Sequence, residues 1–552
     1  MRELRLANNA GLEGPLPVGL TALDRLEEFL AGGTGLCAPS DPDFQTWLRG
    51  IGNRWVAPCV EGERSAAYLT QAVQSLTFPV PLVAGRRSLL RVFPTAEQST
   101  FAGVPPVRAR FFIDGRETHV EDIPGKSAPT PVEVDESSLS TSANAETPGW
   151  VVQPGLEMMI EIDPEGTLDP ALGVARRIPA TGRLAIEVAA MPLLDLTLIP
   201  FIWTETQDSS IVEVVEAMAA DPENHERLGL TRDLLPIGDL AVTPHEPVLS
   251  SSNNALTLLR QTGMIRTVEG GAGHYKGMMM PPVTGARGVA YRPGWTSFSQ
   301  PYPDVIAHEL GHNFNLRHAP CGDPAGVDPS FPYPDGSTGA WGYDFDSGLV
   351  PPSIPDLMTY CGPPDGTSDY HFTKALRFRM NETESAAAAD RLPPTRALLL
   401  WGGADADSVP FLEPAFVVDA PPQLPRAAGP YRLSGRSSGG AELFSLTFDM
   451  AEVADGDGSS SFAFALPVRD GWAENLATIV ITGPLGSATL DGDSNVPIAI
   501  LRDPRSGRVR GILRDLQPSV ATRAAAEAGL AEAQGLEVLF SRGIPGGEAW
   551  RE

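Results

Sequence analysis

The spacing of three histidines constrains this chain more than any other feature. His308 and His312 stand four residues apart, and at about 100° per residue a helix carries both imidazoles on one face, able to grip a single ion. Asp304 suits the positive end of such a helix, and Val305, Ile306, Leu310 and Phe314 supply apolar anchors. Glu309 lies beside the first imidazole, within reach of a water held by an ion there. His308-Glu309-x-x-His312 alone also fits an ordinary exposed helix. His318 narrows the choice: an unbroken helix would carry it through about 600° beyond His312 and off the shared face. For all three to meet, the helix must end between them. Asn315 is placed to end it, because Asn tolerates the left-handed conformation almost as well as Gly.

The run His308-Glu309-Leu310-Gly311-His312-Asn313-Phe314-Asn315-Leu316-Arg317-His318 resembles the zinc motif of the metzincin metalloproteases, with Asn315 where that family has Gly. Downstream, Asp356-Leu357-Met358-Thr359-Tyr360-Cys361 resembles the metzincin Met-turn. The resemblance implies one catalytic Zn2+ on His308, His312 and His318, with Met358 as an apolar floor beneath the imidazoles. It implies Glu309 as general base and Tyr360 as a further zinc ligand or oxyanion stabiliser. Three neutral imidazoles would leave the fourth tetrahedral position for water. Residues 288–294 resemble the edge strand along which metzincins lay an extended substrate, backbone to backbone.

These expectations describe a secreted zinc metalloendopeptidase with a protein or glycoprotein substrate, similar to secreted bacterial mucin- and glycoprotein-cleaving types. Two alternatives compete with it. One is a non-catalytic cell-surface adhesion protein with a structural or vestigial zinc site, against which Glu309 speaks, since a structural site needs no base. The other is a zinc hydrolase acting on non-peptide amides.

The cysteines fall into two local pairs, Cys37 with Cys59 and Cys321 with Cys361, none at a zinc-binding CxxC spacing. They read as two disulfides formed in an oxidising compartment, with four buried thiols as the alternative. A Cys321–Cys361 bridge would tie the zinc motif to the Met-turn. No secretory signal is visible in the first residues. Instead Leu4-x-Leu6-x-x-Asn9-x-x-Leu12-x-Gly14-Pro15-Leu16-Pro17 resembles one plant-type leucine-rich repeat. A lone repeat cannot bury its apolar face, so the chain is expected to begin inside a truncated array whose missing start carried the signal. An amphipathic helix over residues 20–30 is the competing reading.

At 552 residues the chain exceeds a single core, and its 56 glycines and 53 prolines favour many turns and short strands. The expected fold is multidomain: a leucine-rich-repeat remnant and cap (1–64), a β-sandwich (65–193), an α/β (α+β) metzincin catalytic domain (194–395) and a C-terminal β-sandwich (396–552). Residues 121–148, rich in Ser, Thr, Pro and acid, read as an exposed loop. A net charge of −28 disfavours nucleic acid and anionic lipid as partners. No apolar run is long enough for a membrane span. Asp455-Gly-Asp-Gly-Ser459 and Asp491-Gly-Asp493 are weak Ca2+ candidates that complete no EF-hand loop.

Overall fold

The computed structural model describes residues 1–552 except 8, 10, 33, 40, 59–64, 383–392, 426, 493–495, 531–534, 548 and 551–552. Cys59 and Asp493 therefore lie outside the described residues. The protein is multidomain and sheet-rich, 36% strand against 18% helix, the balance that a high load of Gly and Pro predicts. No described helix is long and apolar enough to cross a membrane. Contacts divide the chain into two compact units, one of Met1–Leu193, Arg232–Asp239 and Leu316–Glu382, the other of Leu194–Thr231, Leu240–Asn315 and Thr383–Glu552.

The first unit begins with two parallel ladders. Glu3–Arg5, Glu28–Leu30 and Asn53–Trp55 pair in order, as do Glu13–Pro15, Gly35–Ala38 and Ala57–Pro58. Leu16, Leu26, Phe29 and Phe44 close their core. The alternative helix over residues 20–30 does not form. A short 3-10 turn, Val18–Ala22, leads instead to the strand Glu28–Leu30, which is hydrogen-bonded on both sides. Cys37 sits in one ladder and is disulfide-bonded.

Two antiparallel sheets follow in the same unit. One pairs Ser88–Phe93 with Ala66–Thr70 and Ala143–Thr147; the other is built on Val107–Ile113, Arg116–Ile123 and Leu156–Ile162. Leu69, Leu90 and Val92 from the first meet Val107, Phe111 and Ile160 from the second in one core. The stretch expected as an exposed loop thus contains a strand. Its polar composition hides Ala143 and Thr147, whose buried side chains flank the paired backbone.

The second unit is organised by a 14-stranded sheet. At its centre Leu194–Trp203 is almost wholly buried and runs parallel to Leu240–Pro244, Val248–Ser250 and His274–Met278. Such near-continuous apolar runs are typical of parallel strands covered on both faces. Beyond them the sheet continues through Thr296–Ser299 to Gly288–Arg292, which pair antiparallel.

Two sequence expectations are corrected here. Gly288–Arg292 is not an edge, because Ala451–Ala454 pairs along its other side. Strands from the expected C-terminal domain also share this sheet: Thr395–Ala404 and Ser460–Pro467 join beyond Ala451–Ala454, while Val509–Arg514 joins beside Val248–Ser250. The boundary set at 395/396 does not divide it. Alternation along a strand reveals which face is buried but not which strand lies alongside. A separate four-stranded sheet, built on Tyr431–Ser437 and Leu476–Gly483, packs Leu433, Ile479 and Ile481 against Leu398 and Leu400.

Candidate metal centre

The helix Pro303–Asn313 carries the first two histidines. Pro303 opens it, where a missing N–H costs nothing, and Asp304 lies in the first turn. Ile306, Leu310 and Phe314 are fully buried. The C-terminal end is pinned by Asn313, whose Nδ2 donates to the carbonyls of Tyr291 and Thr296, both at 2.9 Å. The helix then stops, and Asn315 takes φ +68°. Its side-chain oxygen accepts from Arg292 Nη1 at 3.3 Å. A left-handed residue here redirects the chain as the histidine spacing demands.

His308 Nε2 and His312 Nε2 lie 3.1 Å apart, and Asp455 Oδ2 lies 3.0 Å from each. The potential ligand atoms of His308, His312 and Asp455 all fall within 4.8 Å of one another in the second unit. Tetrahedral zinc with bonds of about 2.0–2.1 Å would separate adjacent ligand atoms by about 3.3 Å. Two imidazole nitrogens and a carboxylate oxygen, converging at little less than that distance, suit one small cation. His318 Nδ1 faces the carbonyl of Ala325. A carbonyl only accepts, so Nδ1 carries the proton and Nε2 keeps its lone pair for a metal.

Glu309 is 2% exposed, and its Oε2 has no hydrogen-bond partner among the described residues. A buried carboxylate oxygen without a partner is uncommon in a folded chain. Burial, and then the Asp455 carboxylate, push the Glu309 pKa well above its ordinary value, with Lys276 opposing. Lys276, in His274–Met278, is itself fully buried, and burial brings its ammonium down to about 7 against the pull of Glu309. Burial alone would raise the Asp455 pKa. The imidazoles of His308 and His312 outweigh it and hold the carboxylate well below the usual range.

In the first unit, the residues after the motif are bound to the expected Met-turn. Ala319 N donates to Met358 O at 2.9 Å, Tyr360 N donates to Cys321 O at 3.0 Å, and Cys321 and Cys361 form a disulfide. Met358 is fully buried, whereas Tyr360 is half exposed with its ring centroid 5.0 Å from that of His318. Asp356 holds the turn by accepting from Met358 N at 2.8 Å, Ser368 N at 2.7 Å and His371 Nδ1 at 2.8 Å.

Sequence reasoning missed two residues of this site. Lys276 stood in no recognisable motif. From the sequence Asp455 reads as an acidic turn and a weak Ca2+ candidate, whereas its carboxylate is turned onto His308 and His312. A separation of 143 residues from His312 leaves no local signal for that meeting.

A family model described as Peptidase M66 matches residues 272–356. That span includes Lys276 and the three motif histidines, and ends before Met358, Tyr360 and Asp455. The match, with the His/Asp cluster, supports a metallopeptidase with a protein substrate. No curated protein matches the chain.

Proposed function

We propose that this chain is a secreted zinc-dependent metalloendopeptidase of the metzincin type, in which His308, His312 and His318 hold the zinc. The observation that carries the reading is the convergence of His308, His312 and Asp455 beside a buried Glu309 with an unpartnered oxygen. When bound, zinc supplies a Lewis acid that polarises the peptide carbonyl and acidifies water.

The chain's own groups do the rest. Glu309 takes a proton from the attacking water and delivers it to the leaving amine, a role its raised pKa suits because the protonated form must persist long enough to donate. Lys276 limits that rise by facing Glu309 with a positive charge. Tyr360, exposed beside His318, donates to the developing oxyanion, and Met358 serves as the apolar floor.

Disulfide bonding at Cys321–Cys361 supports an extracellular setting. The parallel ladders of the first residues are compatible with a leucine-rich-repeat remnant. We assign glycoprotein as the substrate class.

The test is zinc content and casein cleavage for wild type and Glu309→Ala, with a chelator control. Stoichiometric zinc in both proteins, with cleavage at least about a hundredfold lower in the variant, is the expected result. Folded protein that takes up no zinc refutes the reading.

A further inference from the structure

We propose that residues 451–455 are an internal latch: the strand Ala451–Ala454 occupies the side of Gly288–Arg292 where substrate would pair, and Asp455 fills the metal position that catalysis needs for water. This rests on the metallopeptidase reading and adds that the chain, as folded here, is held in a latent form.

The backbone register is the first argument. Ala290, Tyr291 and Arg292 pair antiparallel with Ala454, Val453 and Glu452, while the opposite side of Gly288–Arg292 is taken by Thr296–Ser299. An extended peptide that adds to a strand needs a free row of N–H and C=O groups. Here another part of the chain uses that row. The latch strand also leads directly into Asp455, so the pairing and the carboxylate arrive together.

The second argument is the placement of Asp455. Its Oδ2 sits 3.0 Å from both His308 Nε2 and His312 Nε2, and its side chain is only 6% exposed. Asp455 also takes φ +59°, and Gly458 takes φ +89°. Asp457 Oδ1 accepts from Ser459 N at 3.1 Å, closing a tight turn that aims Asp455 inward while Asp457 serves the turn itself. Glu309 lies beside this carboxylate with one oxygen unpartnered. Two acids and two imidazoles therefore converge on one point, and one acid stands where a water would have to be.

The latch ends in a turn. Towards Ser460–Pro467 it pairs through Ala451 and Glu452, Val453 N donates to Ser459 O at 3.3 Å, and Ala454 pairs with Ala290 on the Gly288–Arg292 side. Gly456 and Gly458 follow as flexible residues. Arg292 fastens the strand through an ion pair with Glu452, whose side chain is half exposed. Displacement of Val453–Asp455 would free the backbone row and the metal position in one movement.

The test uses the full chain loaded with cobalt, whose visible spectrum reports ligation, and acetohydroxamate as the metal-directed probe. Asp455→Gly removes the carboxylate at a left-handed position that Gly adopts freely, and Asp455→Asn keeps the side chain's shape without its charge. Glu452→Ala loosens the strand and leaves Asp455 intact. The expected result is one metal per chain throughout, a changed cobalt spectrum in both Asp455 variants, and acetohydroxamate binding at least about tenfold tighter in them than in wild type. Glu452→Ala should fall between, and casein cleavage should rise in the same order. Equal probe affinity and unchanged spectra, with metal bound, overturn the latch and leave the metallopeptidase reading standing. Metal lost from folded Asp455→Gly also overturns it, because Asp455 would then be a permanent ligand. Failure of wild type to bind metal removes the metallopeptidase reading, and the latch with it.

Discussion

Gly288→Ala is the smallest change that should disable the proposed chemistry without touching a metal ligand. A Cβ built at Gly288 would lie 2.4 Å from Glu309 Oε1, 2.6 Å from Val305 Cγ1 and 2.7 Å from Glu309 Cγ. Carbon atoms in contact prefer about 3.5–4.0 Å, so the overlap is roughly 1 Å and falls mainly on Glu309. The helix cannot slide away cheaply, because Asn313 binds it to the carbonyls of Tyr291 and Thr296. Glu309 must therefore swing out of its buried position. Overpacking of this kind costs about 1–3 kcal/mol of stability. Displacing a general base costs about 10²–10⁴ in rate. None of the three nearest atoms belongs to an imidazole, so zinc content should be unchanged. The assay is kcat/KM on casein alongside metal analysis and thermal unfolding. Activity within threefold of wild type, in a folded zinc-loaded variant, would refute the placement of Glu309 as the working base.

Three further outcomes follow from the geometry. Replacing Cys321 and Cys361 by Ser opens a crosslink spanning a separation of 40 residues, which the chain-entropy model values at about 4 kcal/mol; denaturant unfolding with and without reductant measures it. Burial raises the Asp369 carboxyl to about 7, so between about pH 4 and 7 the folded state holds a proton that the unfolded state has released. That contribution to stability is therefore complete below about pH 4 and declines as pH rises through 7, by at most about 4 kcal/mol; Asp369→Asn should flatten the pH profile of unfolding and stabilise at pH 8. At Asn315, φ +68° makes Ala about 1–2 kcal/mol worse than Gly, and comparing the unfolding of Asn315→Ala with Asn315→Gly isolates this backbone cost because both lose the bond to Arg292.

The helix that carries His308 and His312 was legible because everything that makes it is local. The four-residue histidine spacing, the apolar anchors and an Asn at the exit lie within a few turns of chain, and the structure has a helix over Pro303–Asn313 with Asn315 left-handed. The Cys321–Cys361 pair was legible for a related reason: each cysteine stood beside a motif already expected to meet the other. The strand at Ala143–Thr147 was not legible, since its polar surroundings outweighed two small buried residues.

By itself, then, the sequence determined a helix with two histidines on one face, a forced exit before His318, and a sheet-rich chain of several domains. Those follow from backbone sterics, helical periodicity and composition, which act between near neighbours. Only the tertiary structure decided that Gly288–Arg292 is covered by Ala451–Ala454, that Lys276 is buried facing Glu309, and that Asp455 joins His308 and His312. The physical reason is that a strand's hydrogen-bonding groups are the same in every residue except proline. Its sequence can specify which face is buried, but the neighbour that satisfies its edge, and the side chain that neighbour delivers, are chosen by the packing of the whole sheet.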